Sequence, residues 1–134
     1  MDNSKPILHV EDDEIDCLTI KRVLKTLEIT NKLVQKADGE EALKYLTNEN
    51  NEKPGLILLD LNMPCMDGRE FLQAIRKDPN LSNIPVIIVT TSSRDQDIIG
   101  SNVVGYIVKP VGFSDFIAAI KSEFEKLNFC CSVR

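Results

Sequence analysis

Five polar residues of this 134-residue chain follow directly on short apolar runs. Glu11 and Asp12 come after Ile7-Leu8-His9-Val10, Asp60 after Leu56-Ile57-Leu58-Leu59, Thr90 after Val86-Ile87-Ile88-Val89, and Lys109 after Tyr106-Ile107-Val108. Together they offer three carboxylates, a hydroxyl and an ammonium. Crowded carboxylates repel one another, and burying them unpaired is costly. A divalent cation removes that conflict, and an all-oxygen ligand set favours Mg2+, which takes few protein ligands and keeps waters. A cation beside a carboxylate also lets a phosphoryl group approach, because both anions are neutralised. Lys109 can hold one phosphoryl oxygen as a point charge, and Thr90 can donate to another. The set suits attack by Asp60 on phosphorus to give an acyl phosphate.

These residues meet only if the apolar runs are neighbouring strands. Leu56–Leu59 and Pro85–Val89 are apolar without alternation, as in central parallel strands covered on both faces. Weaker strands are expected at 32–36 and 104–108. Between the strands the period changes. Ile20, Val23, Leu24 and Leu27 recur at helical spacing, as do Ala42, Leu43 and Leu46, then Phe71, Leu72 and Ile75. Asp67 can cap the third of these helices, with Glu70 at the capping-box position. A short helix is expected near 94–101. Phe113, Phe116, Ile117, Ile120, Phe124 and Leu127 mark a last amphipathic one. Five strands alternating with five helices imply βαβ crossovers, a parallel sheet between helical layers, and chemistry at the carboxyl ends of the strands.

Four segments then carry a resemblance. They are Val10-Glu11-Asp12-Asp13, Leu58 through Gly68 around Asp60-Leu61-Asn62-Met63-Pro64, Val89-Thr90-Thr91-Ser92, and Tyr106-Ile107-Val108-Lys109-Pro110. In these the chain resembles the receiver domain of two-component response regulators, from about Pro6 to Leu127. In finer detail it is similar to the stand-alone regulators paired with bacterial phytochrome histidine kinases. The resemblance implies a flavodoxin-like (βα)5 doubly wound α/β fold, a five-stranded parallel sheet in the order 2-1-3-4-5. It also implies one receiver domain over 1–134, without an output domain. Asp60 would be the phosphoacceptor, modified to 4-aspartylphosphate, with Asp60, Thr90 and Lys109 as the catalytic set. Asp12, Asp60 and the Asn62 carbonyl would ligate Mg2+, with Glu11 acting through metal-bound water. Thr90 and Tyr106 would form the switch. The partners implied are a histidine kinase of the phytochrome type, a downstream protein or phosphotransfer domain, and a second copy in a homodimer. The protein would catalyse only its own phosphorylation and dephosphorylation. One departure is the spacing: Thr90 to Lys109 is 109 − 90 = 19 positions. That is about three fewer than receivers usually have, nearly one helical turn, so the fourth helix is expected to be short.

Composition sets the outer limits. With 16 basic and 21 acidic residues the net charge is −5, and no basic run stands out to hold a nucleic acid. No apolar stretch approaches the ~20 residues of a membrane helix. Cys17, Cys65, Cys130 and Cys131 lack zinc-site spacing, which suits plain thiols in a cytoplasmic protein. His9, the single histidine, sits in a strand and is read as packed and hydrogen-bonded rather than as a phosphate carrier. Pro110 is expected to follow a cis bond. Two rival functions share the site. A haloacid-dehalogenase-type aspartyl phosphatase needs an acid two residues after its nucleophile, where this chain has Asn62. A pseudo-receiver that only binds partners would not need the full phosphorylation set present in this chain.

Overall fold

The computed structural model describes residues 5–61, 66–91 and 103–127. Among them are β1 (Ile7–Val10), α1 (Glu14–Thr26), β2 (Leu33–Lys36), α2 (Gly39–Thr47), β3 (Leu56–Leu59), α3 (Gly68–Lys77), β4 (Val86–Thr90), β5 (Gly105–Val108) and α4 (Phe113–Lys126). The strands make one sheet in the order β2-β1-β3-β4-β5, every pair parallel. This is the flavodoxin-like order. The helix expected near 94–101, with its expected shortening, lies outside the described residues.

Side chains alternate between the two faces of the sheet, so each strand feeds two cores. Ile7, Leu56, Leu58, Ile87, Val89 and Ile107 pack with Ile20, Val23 and Leu24 of α1 and with Phe116, Ile120 and Phe124 of α4. Leu8, Val10, Ile57, Leu59, Val86 and Ile88 face the other way, onto Ala42 and Leu46 of α2 and Phe71, Leu72 and Ile75 of α3. Burial on both faces explains why β3 is apolar throughout, and β1 and β4 are apolar apart from His9 and Thr90. β2 lies at the edge and is half-buried, which is why it reads as partly polar.

Helix starts are fixed by side-chain caps. Asp13 accepts hydrogen bonds from the amides of Ile15 (2.8 Å) and Asp16 (3.2 Å), Asp38 from Glu41, and Asp67 from Arg69 and Glu70. Each satisfies donors left open by the first turn. α3 is also pressed against β3. The Gly68 amide donates to the Leu61 carbonyl at 3.0 Å, and a Cβ at Gly68 would lie 2.3 Å from the carbonyl oxygen of Asp60. Glycine is required by that close approach, not by its backbone angles.

Beyond the last residues of β1, β3 and β5 the ladder continues by one rung. Glu11 N–H donates to Lys36, Asp60 N–H to Val10, and Lys109 N–H to Thr90. Glu11, Asp60 and Lys109 are thereby held by backbone on one edge of the sheet. The bond before Pro110 differs from expectation, since the described residues contain no cis peptide. The trans isomer is the lower-energy one by about 0.5–1 kcal/mol, and nothing in the adjoining Thr90–Lys109 rung demands the other.

Candidate functional site

The strand ends bring Glu11, Asp12 and Asp60 together, with one carboxylate oxygen from each lying within 4.8 Å of the others. Lys109 reaches in from β5. Its Nζ donates to Glu11 Oε1 at 2.8 Å and to Asp16 Oδ2 at 2.7 Å. Glu11 is pinned on its other oxygen too, which accepts from the Asp13 amide at 3.3 Å. The open space above is a cavity of about 280 Å3 lined by five acids (Glu11, Asp12, Asp13, Asp16 and Asp60) with Thr91 and Lys109.

Burial, together with the neighbouring charges, perturbs ionisation in this cluster. Glu11 is 2% exposed; burial, opposed by Lys109 and reinforced by Asp60, raises its pKa to about 7. Burial alone would lower that of Lys109, but its bonds to Asp16 and Glu11 outweigh this and raise it above the ordinary lysine value. Lys109 is therefore a fixed cation among surplus carboxylates. The donor set is oxygen only and carries more negative charge than one ammonium balances, so it fits a hard divalent ion such as Mg2+.

Thr90 ends β4 fully buried, and its Oγ1 has no hydrogen-bond partner among the described residues. Among the described residues, the hydroxyl-bearing one that lines the cavity is Thr91. By strand alternation Thr90 shares a face with Ile88, whose register partner on β5 is Tyr106. Tyr106 is half-buried and packs against the cluster under α2 and α3. Asn62, Cys65, Cys130 and Cys131 lie outside the described residues.

The sequence missed two features of this site. Asp16 gave no signal, being one more acid in the first turn of an amphipathic helix. The second is the partner of His9, which is packed and hydrogen-bonded as expected: under α1, Gln35 Nε2 approaches His9 Nδ1 at 3.0 Å and donates to the Cys17 carbonyl at 3.1 Å. His9 and Gln35 are register partners across β1 and β2. Burial, with a contribution from the Lys109 charge, lowers the His9 pKa to about 3, so the ring is neutral. The Cys17 thiol donates to the Glu11 carbonyl at 3.6 Å.

Comparison with known proteins gives a consistent picture. The family model described as response regulator receiver domain matches residues 7–121. Response regulator Rcp1 of Synechocystis sp. is 40% identical over 124 residues, covering 87% of this chain and 84% of that protein. The structure of the phosphorylated cyanobacterial phytochrome response regulator RcpA superposes with a TM-score of 0.80 at 38% identity, covering 91% of this chain and 92% of that one. The Mn(2+)-bound form of Rcp1 gives 0.78 at 37% identity, covering 97% and 96%. No helix among the described residues is long and apolar enough to cross a membrane. With five acids and a lysine gathered at the carboxyl edge of a 2-1-3-4-5 sheet, this chain belongs to the response regulator receiver domain family.

Proposed function

We propose that Asp60 is the phosphoacceptor and that Asp12, Asp60 and the Asn62 carbonyl hold Mg2+, with Glu11 acting through metal-bound water. The observation that carries this reading is the approach of the Glu11, Asp12 and Asp60 carboxylates to within 4.8 Å, beside a lysine already desolvated. When bound, Mg2+ supplies the positive charge that lets a carboxylate and a phosphoryl group meet. The residues of the chain do the rest. A carboxylate oxygen of Asp60 attacks phosphorus, forming the P–O bond as the P–N bond to the kinase histidine breaks and its electron pair returns to the imidazole. Lys109 pairs with one phosphoryl oxygen, and the Thr90 hydroxyl, unpartnered among the described residues, turns to donate to another. Hydrolysis reverses the occupancy: water attacks phosphorus, and Asp60 leaves as the carboxylate with release of inorganic phosphate.

Family membership implies a histidine kinase as partner. The likeness to RcpA supports a kinase of the phytochrome type, and membership of the receiver family is consistent with a cytoplasmic setting. Tyr106, on the same face as Thr90, would follow the hydroxyl and pass the change to a downstream protein or phosphotransfer domain, or to a second copy in a homodimer. This is a local charge event biasing a two-state element.

Acetyl phosphate with Mg2+, followed by intact mass, tests the assignment. Wild type should gain one hydroxylamine-labile phosphoryl group, and Asp60→Asn none, with its thermal midpoint within a few degrees of wild type. Labelling of Asp60→Asn at another acid would overturn it. Rapid multiple turnover would point to a phosphatase.

A further inference from the structure

Lys109 is shared between two acids that differ in one respect. Glu11 is 2% exposed, whereas the Asp16 side chain is 31% exposed. A buried carboxylate stripped of its cation must find another positive charge, but a partly exposed one can be rehydrated. In the proposed phosphorylated state Glu11 has such a substitute through the metal-bound water. Asp16 has bulk solvent. The ammonium can therefore leave Asp16 at low cost.

We infer that Asp16 is the resting counter-ion of Lys109, and that phosphorylation transfers the ammonium from Asp16 to the phosphoryl group, so that the first turn of α1 reads the state of Asp60. This rests on the assignment of Asp60 as phosphoacceptor and adds a route separate from Thr90 and Tyr106. The placement of the pair gives the exchange a structural consequence. Asp16 and Lys109 line the acidic cavity and also another of about 340 Å3, which Thr19, Arg22, Val111 and Phe113 line as well. The ion pair belongs to the lining of both. Withdrawal of Lys109 changes the lining of both and leaves a carboxylate facing water on α1.

Asp16 also opposes the phosphoryl group directly. Glu11, Asp12, Asp13, Asp16 and Asp60 already crowd the cavity, and a phosphoryl dianion adds to that charge. Neutralising Asp16 thus removes both a competitor for Lys109 and a repelling charge. The same change removes negative charge that attracts Mg2+. Opposite effects on the two ligands are the signature, because general damage to the site weakens both.

The test uses beryllofluoride as the phosphoryl probe, titrated by amide NMR at saturating Mg2+ into wild type and Asp16→Asn. In wild type the amides of Asp16 to Thr19 should shift on binding. Asp16→Asn should bind beryllofluoride about three- to tenfold more tightly, as loss of one nearby unit charge in a partly hydrated site suggests. Its Mg2+ affinity alone should fall, and its α1 amides should move much less. Equal or weaker beryllofluoride binding by the variant, or stationary α1 amides in wild type, would overturn the exchange while leaving Asp60 in place. Failure of wild type to bind the probe at all would instead remove the Asp60 reading on which the exchange depends.

Discussion

Replacing Gly68 by alanine drives a methyl carbon into the main chain that carries the proposed phosphoacceptor. The ideal Cβ lies 2.3 Å from the Asp60 carbonyl oxygen and 2.6 Å from Leu61 Cα, both backbone atoms. Reaching even a tight 3.0 Å requires a movement of about 3.0 − 2.3 = 0.7 Å between α3 and the end of β3. Overpacking of this kind costs about 1–3 kcal/mol, and a backbone obstacle argues for the upper end. Alanine recovers up to about 1 kcal/mol through helix propensity and a less flexible unfolded chain. The net loss should be about 2 kcal/mol, a fall in thermal midpoint of roughly 6–10 °C for a domain of this size. Function should suffer more. Misplacement of a reacting group by about 1 Å can cost 10²-fold, so labelling from acetyl phosphate should slow by roughly 10- to 100-fold with every catalytic side chain intact. Gly112→Ala is the control, because its Cβ would meet only Asp115 Oδ2 at 3.6 Å. It should stay within about 1 kcal/mol of wild type, the small penalty being a poorer helix cap. Thermal melts and labelling time courses on the three proteins decide the matter. A Gly68→Ala protein that melts and labels like wild type would show that α3 is not seated on Asp60 as described.

Two further outcomes follow from buried polar groups. Thr90→Val replaces a buried hydroxyl that has no partner among the described residues with a methyl group of similar size, so stability in urea should be unchanged or higher by about 1 kcal/mol, while the lifetime of the acyl phosphate changes; a marked loss of stability would mean that the hydroxyl has a partner. The His9 pKa of about 3 lies below the ordinary histidine value of 6.5. The unfolded chain therefore binds the extra proton first as pH falls. Above pH 6.5 the residue adds no pH dependence, and between 6.5 and 3 it should remove stability at up to about 1.4 kcal/mol per pH unit. Urea melts across that window should show the slope in wild type and lose it in His9→Phe; an identical slope in both would assign it to other groups.

Much of this architecture is legible in sequence because it rests on burial. Leu56–Leu59 can be apolar throughout only if both faces are covered, and the stripes at Ile20–Leu24 and Phe116–Phe124 supply the covering. Boundaries shift by a residue or two for local reasons. Pro85 lacks an amide for the ladder, so β4 begins at Val86 although the Pro85 carbonyl accepts from Ile57. Glu11, Asp60, Thr90 and Lys109 are legible because they stand at strand ends. Asp16 is not, since its meaning depends on Lys109, which is 93 residues away. The His9–Gln35 contact depends equally on the register of β1 against β2, and no local pattern encodes a register between strands separated by a helix.

The central position of β1 also bears on how the chain is made. β1 is synthesised before the strands on either side of it, and Ile7 pairs with Leu33 on one edge and Leu56 on the other. The second edge waits for 56 − 7 = 49 further residues, roughly 2–10 s at translation rates of about 5–20 residues per second. Until then a strand that ends up wholly enclosed has one open edge and two apolar faces. The nascent chain is thus most exposed to mispairing and to chaperones just before β3 emerges, and synonymous codons that delay translation between β2 and β3 should lengthen that interval.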